Sequence, residues 1–495
     1  MSLELDRRTL AKGAALTGFG ALAVGALAES ATAASLQGNL PRKVDVVVVG
    51  GGLSGLVAAR KVLRSGRSVL VVEARHRVGG RLLNHQLEAG GVIEAGGAFV
   101  GPTQDHILAL AKELKVATFK EYIKGNNVYI SALTGKATYT GTIPPDPTIL
   151  LDAAILLQTL DGYAADMPVD APWSHPNAAK WDAQTLGDFI RHTTLNSKGV
   201  TNLIKAWTEP GFGATPDQLS LLFVIHYLAC SGNETTPGSF ELNANTTGGA
   251  QESRFVGGSQ LVPLKLAQQL GSHVALGAAV TRIDQVSGHA LVHTTRGNVQ
   301  ARQVIVACPP PLVLDIDWHP QLPTQRKHLL ENLHMGKLMK CDAVYSKPFW
   351  RDDNYSGSGI SDHGATRAVF DNSPPDGHVG VLLAFVGGDT WRKYGTMSRA
   401  ARRKAVLEGF AEMFGPKALK PIEYTEHNWP KEQWTRGAPV PIYGKGIMTK
   451  YGPAIRRPFG RVHWAGTETS TYWTGYMDGA VRAGQRAALE VLDNL

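Results

Sequence analysis

VDVVVVGGGLSGLVAARKVLRSGRSVLVVEAR, residues 44–75, is the stretch that decides the fold of this chain. A valine-rich run predicts a buried strand, the glycines predict a tight turn, and a helical stretch leads to a second apolar strand. Gly50, Gly52 and Gly55 have the GxGxxG spacing, which serves the turn, the approach of backbone to a pyrophosphate and helix-on-strand packing. Glu73 ends the second strand, where a carboxylate can accept hydrogen bonds from ribose hydroxyls. The unit therefore predicts a Rossmann-like dinucleotide-binding domain.

A second glycine-rich segment, ARHRVGGR, follows Glu73 directly. Gly79 and Gly80 bring another stretch of backbone close to the cofactor, and the guanidinium of Arg81 is able to meet a phosphate. Arg75 belongs to the same segment and is a further candidate for cofactor contact. We do not expect a second loop of this kind in NAD enzymes, so the segment favours FAD.

The GGR element resembles the FAD-binding pattern of flavin oxidases, and the chain from about Val44 onward resembles the flavin-containing amine oxidases of the monoamine oxidase family. The matching motifs are GPTQDHILALAKEL, DAPWSHP, GGAQESRFVGGSQ, MGKLMKCDAVYSKPFW and GTETSTYWTGYMDGAVRAGQRAALEVL. The resemblance implies a fold of mixed α/β and α+β class. It has a discontinuous, Rossmann-like FAD-binding domain of the GR2 type, and the inserted substrate domain is built from a sheet plus helices. The implied FAD-binding pieces are residues 43–119, 256–329 and 432–495, and the implied substrate-domain pieces are residues 120–255 and 330–431.

Apolar spacing predicts several elements independently of that resemblance. Residues 104–115 have helical spacing, residues 120–170 mix strand-like runs with proline-rich turns, and residues 185–232 are mostly helical in pattern. FVGGSQLVPLKLAQQL is interpreted as a strand end, a glycine turn and an amphipathic helix, and HALVHTTR and QARQVIVACPP follow it as strands. A last helix is predicted to begin at about Asp478.

The implied activity is oxidation of primary arylalkyl or alkyl monoamines to aldehyde, ammonia and hydrogen peroxide, with hydride transfer to flavin N5. The protein must then bind FAD, orient a neutral amine and admit oxygen. Lys340, in MGKLMKC, matches the family lysine that holds a water against flavin N5 and assists the reaction with oxygen. Its apolar neighbours predict that it faces the pocket, where desolvation lowers the pKa of an ammonium. Tyr476 is the candidate aromatic wall beside the amine.

Further residues are carried over by the same resemblance. Trp429 matches the tryptophan that packs against the isoalloxazine ring, Val280 matches a backbone contact to adenine, and Gln251 matches a glutamine that lines the substrate cavity. The positions around the flavin pyrimidine and ribityl chain are Thr467, Glu468 and Met477.

The chain departs from the mammalian enzymes at two neighbouring positions. Ala438, in TRGAPVP, stands where those enzymes carry the cysteine that is linked to the flavin, so noncovalent FAD is predicted. Pro439 replaces the tyrosine that forms half of an aromatic pair, while Tyr476 keeps the other half. The substrate cavity should therefore differ in shape. Tyr472 and Trp473 either line that cavity or pack in the core.

Other functions stay open at this point. Putrescine oxidases also resemble the chain and carry alanine at the flavin-linking position, so a putrescine or polyamine oxidase is the main alternative. That function requires a carboxylate deep in the pocket, and the sequence alone identifies none. An amino-acid oxidase would need an arginine for the substrate carboxylate, and none stands out. A non-catalytic flavoprotein is disfavoured because Lys340, Trp429 and Tyr476 are all present.

The composition of the chain limits which domain organisation, partners and metal or disulfide sites can be expected. The 495 residues are 43% hydrophobic and 19% charged, which fits a globular protein of two domains. The net charge of +8 is spread along the chain, so no nucleic-acid partner is expected. Cys230, Cys308 and Cys341 lie far apart, so we expect free thiols rather than disulfides or a metal site. The expected partners are a small amine and molecular oxygen. Whether the protein forms a homodimer is left open by the sequence.

The first 33 residues have the pattern of an export signal. Arg7-Arg8 precedes a soft Gly/Ala-rich stretch at 13–28 and the small-residue run Ala31-Thr32-Ala33. This is typical of a twin-arginine signal, with cleavage expected near Ala33. The expected location is periplasmic or otherwise extracytoplasmic. The stretch is too short for a stable membrane span, and the residues before Leu495 are not an apolar tail, so no membrane anchor is expected.

Overall fold

The computed structural model describes Leu27 and residues 34–495. The predicted export signal, residues 1–33, therefore lies outside the described residues except for Leu27. Within the described part of the chain, no helix combines the length and the apolar character needed to cross a bilayer.

Strands and helices are interspersed along the described part of the chain. The strands are β1 (Lys43–Val49), β2 (Val69–Val72), β3 (Asn84–Gln86), β4 (Val92–Glu94), β5 (Phe99–Val100), β6 (Thr118–Lys120), β7 (Asn126–Ser131), β8 (Gly135–Tyr139), β9 (Ser253–Phe255), β10 (Val274–Ala275), β11 (Val280–Val286), β12 (His289–Thr294), β13 (Gly297–Val306), β14 (Asp317–His319), β15 (His334–Met335), β16 (Leu338–Tyr345), β17 (Tyr355–Ser361), β18 (Ala368–Asp371), β19 (Gly380–Gly387), β20 (Glu423–Asn428), β21 (Pro441–Ile442) and β22 (Val462–Trp464). The α-helices are α1 (Leu53–Arg64), α2 (Asp105–Glu113), α3 (Leu150–Ala165), α4 (Ala178–Asp182), α5 (Leu186–Thr193), α6 (Ser197–Phe212), α7 (Leu221–Ala229), α8 (Phe240–Ala244), α9 (Leu261–Leu270), α10 (Thr324–Asn332), α11 (Gly388–Tyr394), α12 (Arg399–Phe414), α13 (Ile447–Tyr451) and α14 (Met477–Leu492).

The sheet that contains β1 has eight strands in the order β10-β2-β1-β13-β12-β11-β14, with β22 beside the second half of β13. β1 runs parallel to both neighbours, and Val46 lies opposite Val69 on one side and Gln303 on the other. The valine-rich sequence of β1 is explained by this central position, because a central parallel strand is covered on both faces. Helices α1, α9 and α14 share one apolar core with the sheet.

A second sheet has seven strands in the order β20-β16-β19-β18-β17-β7-β8. Its pairs are antiparallel except for β17 with β7. Helix α12 covers one face, where it packs against Met339, Cys341 and Ala343 of β16. Side chains alternate along a strand, so Lys340 points to the opposite face. β16 is buried along its whole length, which makes this second face an interior surface too.

Most of the predicted elements are confirmed. Helices occupy Asp105–Glu113, most of residues 186–229 and Met477–Leu492, and the mixed α/β and α+β class is correct. The prediction for residues 120–170 is wrong in part, because Leu150–Ala165 forms α3. Its sequence, LLDAAILLQTLDGYAA, carries apolar residues on the exposed side as well as the buried side, and this hides the helical period. The division into two domains at the stated boundaries stays a prediction.

Candidate functional site

A cavity of about 730 Å³ lies between the two large sheets and is lined by residues from both. The glycine turns that follow β1 and β2 line one end. Helices α6 and α8, together with strands of the seven-stranded sheet, line the other. We call these the nucleotide end and the substrate end. The wall is mostly apolar and carries a small number of polar groups, as is usual for cofactor and ligand sites.

The nucleotide end is built by two glycine segments that lie side by side. Gly50 has a φ of 107°, and a Cβ on Gly55 would lie 2.1 Å from the Gly50 carbonyl oxygen, so both positions require glycine. The backbone N–H of Gly79 donates to the carbonyl oxygen of Gly51 at 2.9 Å. A Cβ on Gly80 would lie 3.4 Å from the Cα of Gly52. The sequence predicted that both segments approach a cofactor, and that contact stays a prediction.

Helix α1 begins at this point without a side-chain cap. Its N-cap, Gly52, makes no capping hydrogen bond, and the first turn carries no acidic residue. Gly52, Leu53 and Ser54 all line the cavity. The first N–H groups of a helix have no partner within the helix, and together with the helix dipole they favour an anion. This end of the cavity therefore fits the pyrophosphate of a dinucleotide.

Glu73 follows β2 and is 5% exposed. One carboxylate oxygen accepts from the N–H of Gly51 at 2.6 Å, and the other accepts from the N–H of Arg75 at 2.8 Å. These bonds fix the carboxylate between the two turns on the cavity wall. A carboxylate oxygen accepts more than one hydrogen bond, so the predicted ribose contact is compatible with both.

Arg75 and Arg81 also lie on the wall, but both already have protein partners. Arg75 forms an ion pair with Glu432 at 3.2 Å. Arg81 forms an ion pair with buried Glu468 at 2.7 Å and donates to the carbonyl oxygen of Pro439, also at 2.7 Å. The predicted contacts of Arg75, Arg81 and Glu468 with a cofactor stay predictions.

The other predicted cofactor residues lie along the same cavity. Val280 begins β11, and Trp429 is 2% exposed and donates its indole N–H to the carbonyl oxygen of Ala95 at 2.9 Å. The Thr467 hydroxyl donates to the carbonyl oxygen of Tyr476 at 2.8 Å. Met477 is the first residue of α14. Val280, Trp429, Thr467 and Met477 all belong to the cavity lining.

Lys340 lies on the cavity wall and is only 3% exposed. Its Nζ donates to the carbonyl oxygens of Glu94 and of Gly96, the latter at 3.1 Å. Nζ also lies 5.7 Å from the centre of the Phe385 ring. Burial lowers the pKa of Lys340, because desolvation disfavours the charged ammonium.

The substrate end brings together Gln251, Pro439 and Tyr476. The Tyr476 hydroxyl oxygen accepts from Asn243 Nδ2 at 3.1 Å, and the centres of the Tyr476 and Tyr227 rings are 5.9 Å apart. Burial raises the pKa of Tyr476 well above its ordinary value, so this hydroxyl stays protonated. Gln251 donates to the carbonyl oxygen of Asn243 at 3.2 Å, and its Oε1 is buried without a hydrogen-bond partner in the described part of the chain.

Trp473 and Tyr472 do not belong to the cavity lining. Trp473 is 1% exposed, packs edge-on against Tyr476 with ring centres 4.8 Å apart, and donates to the carbonyl oxygen of Thr103. Tyr472 lies beside the guanidinium of Arg482, 5.3 Å from it. The alternative that both residues serve in packing is therefore the one that the structure favours.

Three residues of the substrate end were not predicted from the sequence. Tyr227 lies in an entirely buried helix, and Trp207 and Asn243 come from α6 and α8. Tyr227 carried a weak signal, because a hydroxyl in the apolar run LLFVIHYLA needs a buried partner. Asn243 carried none, since its partners are distant in sequence.

The chain was compared with known proteins. A family model described as flavin containing amine oxidoreductase matches residues 53–492. A Mycobacterium tuberculosis protein named as a flavin-containing monoamine oxidase, AofH, is 40% identical over 454 residues, which cover 92% of this chain and 97% of that protein. Flavin-containing amine oxidase A of Equus caballus is 37% identical over 469 residues, which cover 93% and 87% of the two chains.

The fold of the chain is also similar to the solved structures of two amine oxidases. A putrescine oxidase bound to putrescine superposes with a TM-score of 0.86 at 32% identity, covering 91% of this chain and 99% of that one. Cyclohexylamine oxidase from Brevibacterium oxydans superposes with a TM-score of 0.85 at 31% identity, with coverage of 91% and 99%.

Proposed function

The chain belongs to the flavin containing amine oxidoreductase family and is a flavin amine oxidase that uses oxygen as its acceptor, and we propose that its substrates are primary arylalkyl or alkyl monoamines. The supporting observation is the charge of the cavity wall. The acidic residues of that wall, within the described residues, are Glu73, which follows β2, and Asp315, which lies in the segment between β13 and β14 of the eight-stranded sheet. A distal ammonium at the substrate end would therefore be buried without a carboxylate, which is strongly unfavourable.

The residues of the nucleotide end fit a flavin dinucleotide. The uncapped start of α1 and the close approach of Gly52 and Gly80 suit a pyrophosphate, while Glu73 suits a ribose. A bound flavin supplies the acceptor for the two electrons and the hydrogen that leave the carbon beside the amine nitrogen. Trp429 and Lys340 are the residues of this chain that we assign to the flavin ring region.

The chain's own residues would orient the amine. The Tyr476 ring offers an aromatic face, and Gln251 offers a carbonyl oxygen that lacks a partner. Among the described residues, the cavity wall carries the buried Lys340 and no carboxylate besides Glu73 and Asp315, so the cavity disfavours an ammonium and favours the neutral amine. Aldehyde, ammonia and hydrogen peroxide are the proposed products.

A peroxide assay over phenethylamine, butylamine, putrescine, spermidine and amino acids tests this proposal. Butylamine and putrescine are the matched pair, because they differ by one terminal amino group. We expect kcat/KM for butylamine to exceed that for putrescine about 100-fold, since an unpaired buried ammonium costs about 3 kcal/mol or more. Preference for putrescine or spermidine would establish the polyamine alternative, and no peroxide from any amine would indicate a non-catalytic flavoprotein.

We also propose that the flavin is FAD and is held noncovalently. Ala438 is 5% exposed, lies on the cavity wall and offers no nucleophile to the flavin. Acid precipitation of the holoenzyme should therefore release the flavin into the supernatant, where its absorbance is read and chromatography identifies it as FAD. Flavin that stays with the precipitated chain would contradict noncovalent binding.

Export by the twin-arginine route is a further proposal, supported by Arg7-Arg8, the Gly/Ala-rich stretch after them and the run Ala31-Thr32-Ala33. This route suits a protein that folds around its cofactor before it crosses the membrane. Replacing Arg7 and Arg8 by lysine should move amine oxidase activity from the periplasmic fraction to the cytoplasm. An unchanged distribution would contradict the proposal.

A further inference from the structure

Asn243 is a buried amide to which several side chains of the substrate end are attached. It lies in α8 and is 2% exposed. Its Nδ2 donates to Ser231 Oγ at 2.8 Å and to Tyr476 Oη at 3.1 Å, and its Oδ1 accepts from Trp207 Nε1 at 2.9 Å. Its backbone carbonyl oxygen accepts from Gln251 Nε2 at 3.2 Å. Trp207, Gln251 and Tyr476 all belong to the cavity lining.

Three hydrogen bonds hold the side-chain amide of Asn243 in place. Both N–H bonds and the carbonyl oxygen have protein partners, so the amide can rotate or flip only by breaking three bonds. In a buried site each broken bond would leave a polar group unpaired, at about 1–3 kcal/mol each. The amide therefore defines one arrangement of the rings that it contacts.

The two rings have other contacts, but these are mainly apolar. Tyr476 packs edge-on against Trp473 and lies beside the Tyr227 ring. Trp207 packs against Phe212 and Phe240 with ring centres 5.3 Å and 5.1 Å away. Apolar contacts permit sliding, whereas a hydrogen bond of fixed direction does not. The orientation of the Trp207 indole depends on the bond to Asn243.

We propose that Asn243 is a positioning residue for amine oxidation, which holds the Tyr476 and Trp207 rings in the one arrangement that aligns the amine with the flavin. This inference rests on the proposed function. Alignment is a large part of the catalysis available to such an enzyme, and a displacement of about 1 Å can slow a reaction about 100-fold. Asn243 acts on the substrate through these two rings, which form part of the cavity wall.

The test is anaerobic stopped-flow reduction of the flavin by phenethylamine in the holoenzyme variant Asn243→Leu, which keeps the approximate shape and removes the hydrogen bonds of the amide. We expect reduction to slow about 10- to 100-fold. Reoxidation of dithionite-reduced holoenzyme by oxygen should keep the wild-type rate, because Lys340 bonds to the carbonyl oxygens of Glu94 and Gly96 and not to the side chains that Asn243 holds. Equal slowing of both half-reactions would indicate a merely structural role and would overturn the inference.

Ser231→Ala is the matched control. It removes the one side-chain bond of Asn243 that does not go to a cavity residue, and it leaves the bonds to Tyr476 and Trp207 in place. Its thermal midpoint should fall while amine-driven reduction stays at the wild-type rate. Slowing as large as that in Asn243→Leu would overturn the inference, since a general loss of packing would then suffice.

Trp207→Phe keeps the inference testable if Asn243→Leu does not fold. It keeps an aromatic ring, removes the indole N–H that bonds to Asn243 Oδ1 and makes the ring smaller. Reduction by amine should again slow while reoxidation does not. Wild-type reduction in every folded variant would overturn the inference. If phenethylamine and the other amines fail to reduce the wild-type flavin, the proposed function fails instead.

Discussion

Three consecutive backbone carbonyl groups show how single residues shape the cavity wall beside Lys340 and Trp429. Lys340 donates to the carbonyl oxygens of Glu94 and Gly96, and Trp429 donates to that of Ala95 between them. The backbone of residues 94–96 is therefore held by two side chains, Lys340 from β16 and Trp429 directly after β20. Lys340 keeps a third N–H free for a water or for oxygen, since an ammonium has three donors.

Replacing Lys340 with Met should slow reoxidation of the flavin by oxygen more than its reduction by amine. In the wild type, reoxidation should also slow as pH rises through the lowered pKa of Lys340. The Lys340 ammonium, which assists the reaction of the reduced flavin with oxygen, is present only below that pKa. Met has no such group, so this step in the pH profile should disappear. Stopped-flow reoxidation from neutral to alkaline pH measures both effects.

Lys347→Met is the control for that experiment, because Lys347 follows the same strand and is 63% exposed. It should keep both the rate and the pH profile of the wild type. Equal reoxidation rates in Lys340→Met and the wild type would remove Lys340 from the reaction with oxygen.

Some of these residues could be predicted and others could not. Lys340 stands between apolar residues in a strand pattern, so its burial follows from local sequence. Asn243 bonds to Trp207 and Tyr476, which lie 36 and 233 residues away in the chain. No local pattern encodes a contact of that separation. The packing role of Trp473 likewise depends on Thr103, which is 370 residues away.

At the scale of elements, the β1–α1 unit is the most strongly determined part of the molecule. A Cβ on Gly55 would lie 2.1 Å from the Gly50 carbonyl oxygen and 3.2 Å from a methyl group of Val48. The helix can lie this close to the strand only because residue 55 has no side chain. The start of α1 is thereby held at the nucleotide end of the cavity.

Gly55→Ala should destabilise the protein by about 1–3 kcal/mol or more and weaken flavin binding, because the added methyl group must push α1 away from β1. The ratio of flavin to protein absorbance in the purified enzyme and the dissociation constant of added FAD measure the effect. Undiminished flavin content would contradict this account of the turn.

Gly162→Ala is a matched control from the last turn of α3. A Cβ at this position would have no atom within 4 Å. Alanine should therefore raise stability by about 0.5–1 kcal/mol through its better helix propensity, and flavin content should not change.

Helix α3 was not predicted, because hydrophobic periodicity detects a helix only when its two sides differ in polarity. α3 exposes Leu151 to 70% and Ile155 to 48%, while Leu156 and Leu160 are buried. Hydrophobic residues on both sides leave little contrast between faces, and contrast is the signal that periodicity detects. The glycine turn of β1 and α1, in contrast, is fixed by sterics within a few residues, so the sequence is sufficient to predict it.

At the scale of the whole molecule, a buried charge cluster joins several sheets. Arg254 of β9 pairs with Glu121 at 2.6 Å and with Glu94 of β4 at 3.3 Å, and it donates to the carbonyl oxygen of Ser373 at 2.6 Å. All three charged side chains are at most 5% exposed. One guanidinium faces two carboxylates, and burial raises the pKa of Glu121 to about 7.

This raised pKa predicts how stability depends on pH. Between pH 4.5, the ordinary pKa of Glu121, and about pH 7, the folded protein binds more protons than the unfolded chain, so the contribution of Glu121 to stability falls as pH rises. Glu121→Gln should remove up to about 3 kcal/mol of this dependence. Denaturant unfolding of both proteins from pH 5 to 8 measures it.

Glu408→Gln should keep the wild-type dependence, because Glu408 is 57% exposed and lies outside the cluster. If Glu121→Gln also kept that dependence, another group would have to be responsible for the pH response.

The long-range connections of the fold have a consequence for its synthesis. The N–H of Gly466, which lies in the connection between β22 and α14, donates to Ser54 Oγ in α1 at 2.9 Å, and these residues are 412 positions apart. At about 5–20 residues per second, a ribosome needs roughly 20–80 s to span that distance. Through that interval the apolar face of α1 lacks the helix that will cover it. The part of the cavity wall that Gly466, Thr467 and Met477 form is therefore completed only after that interval.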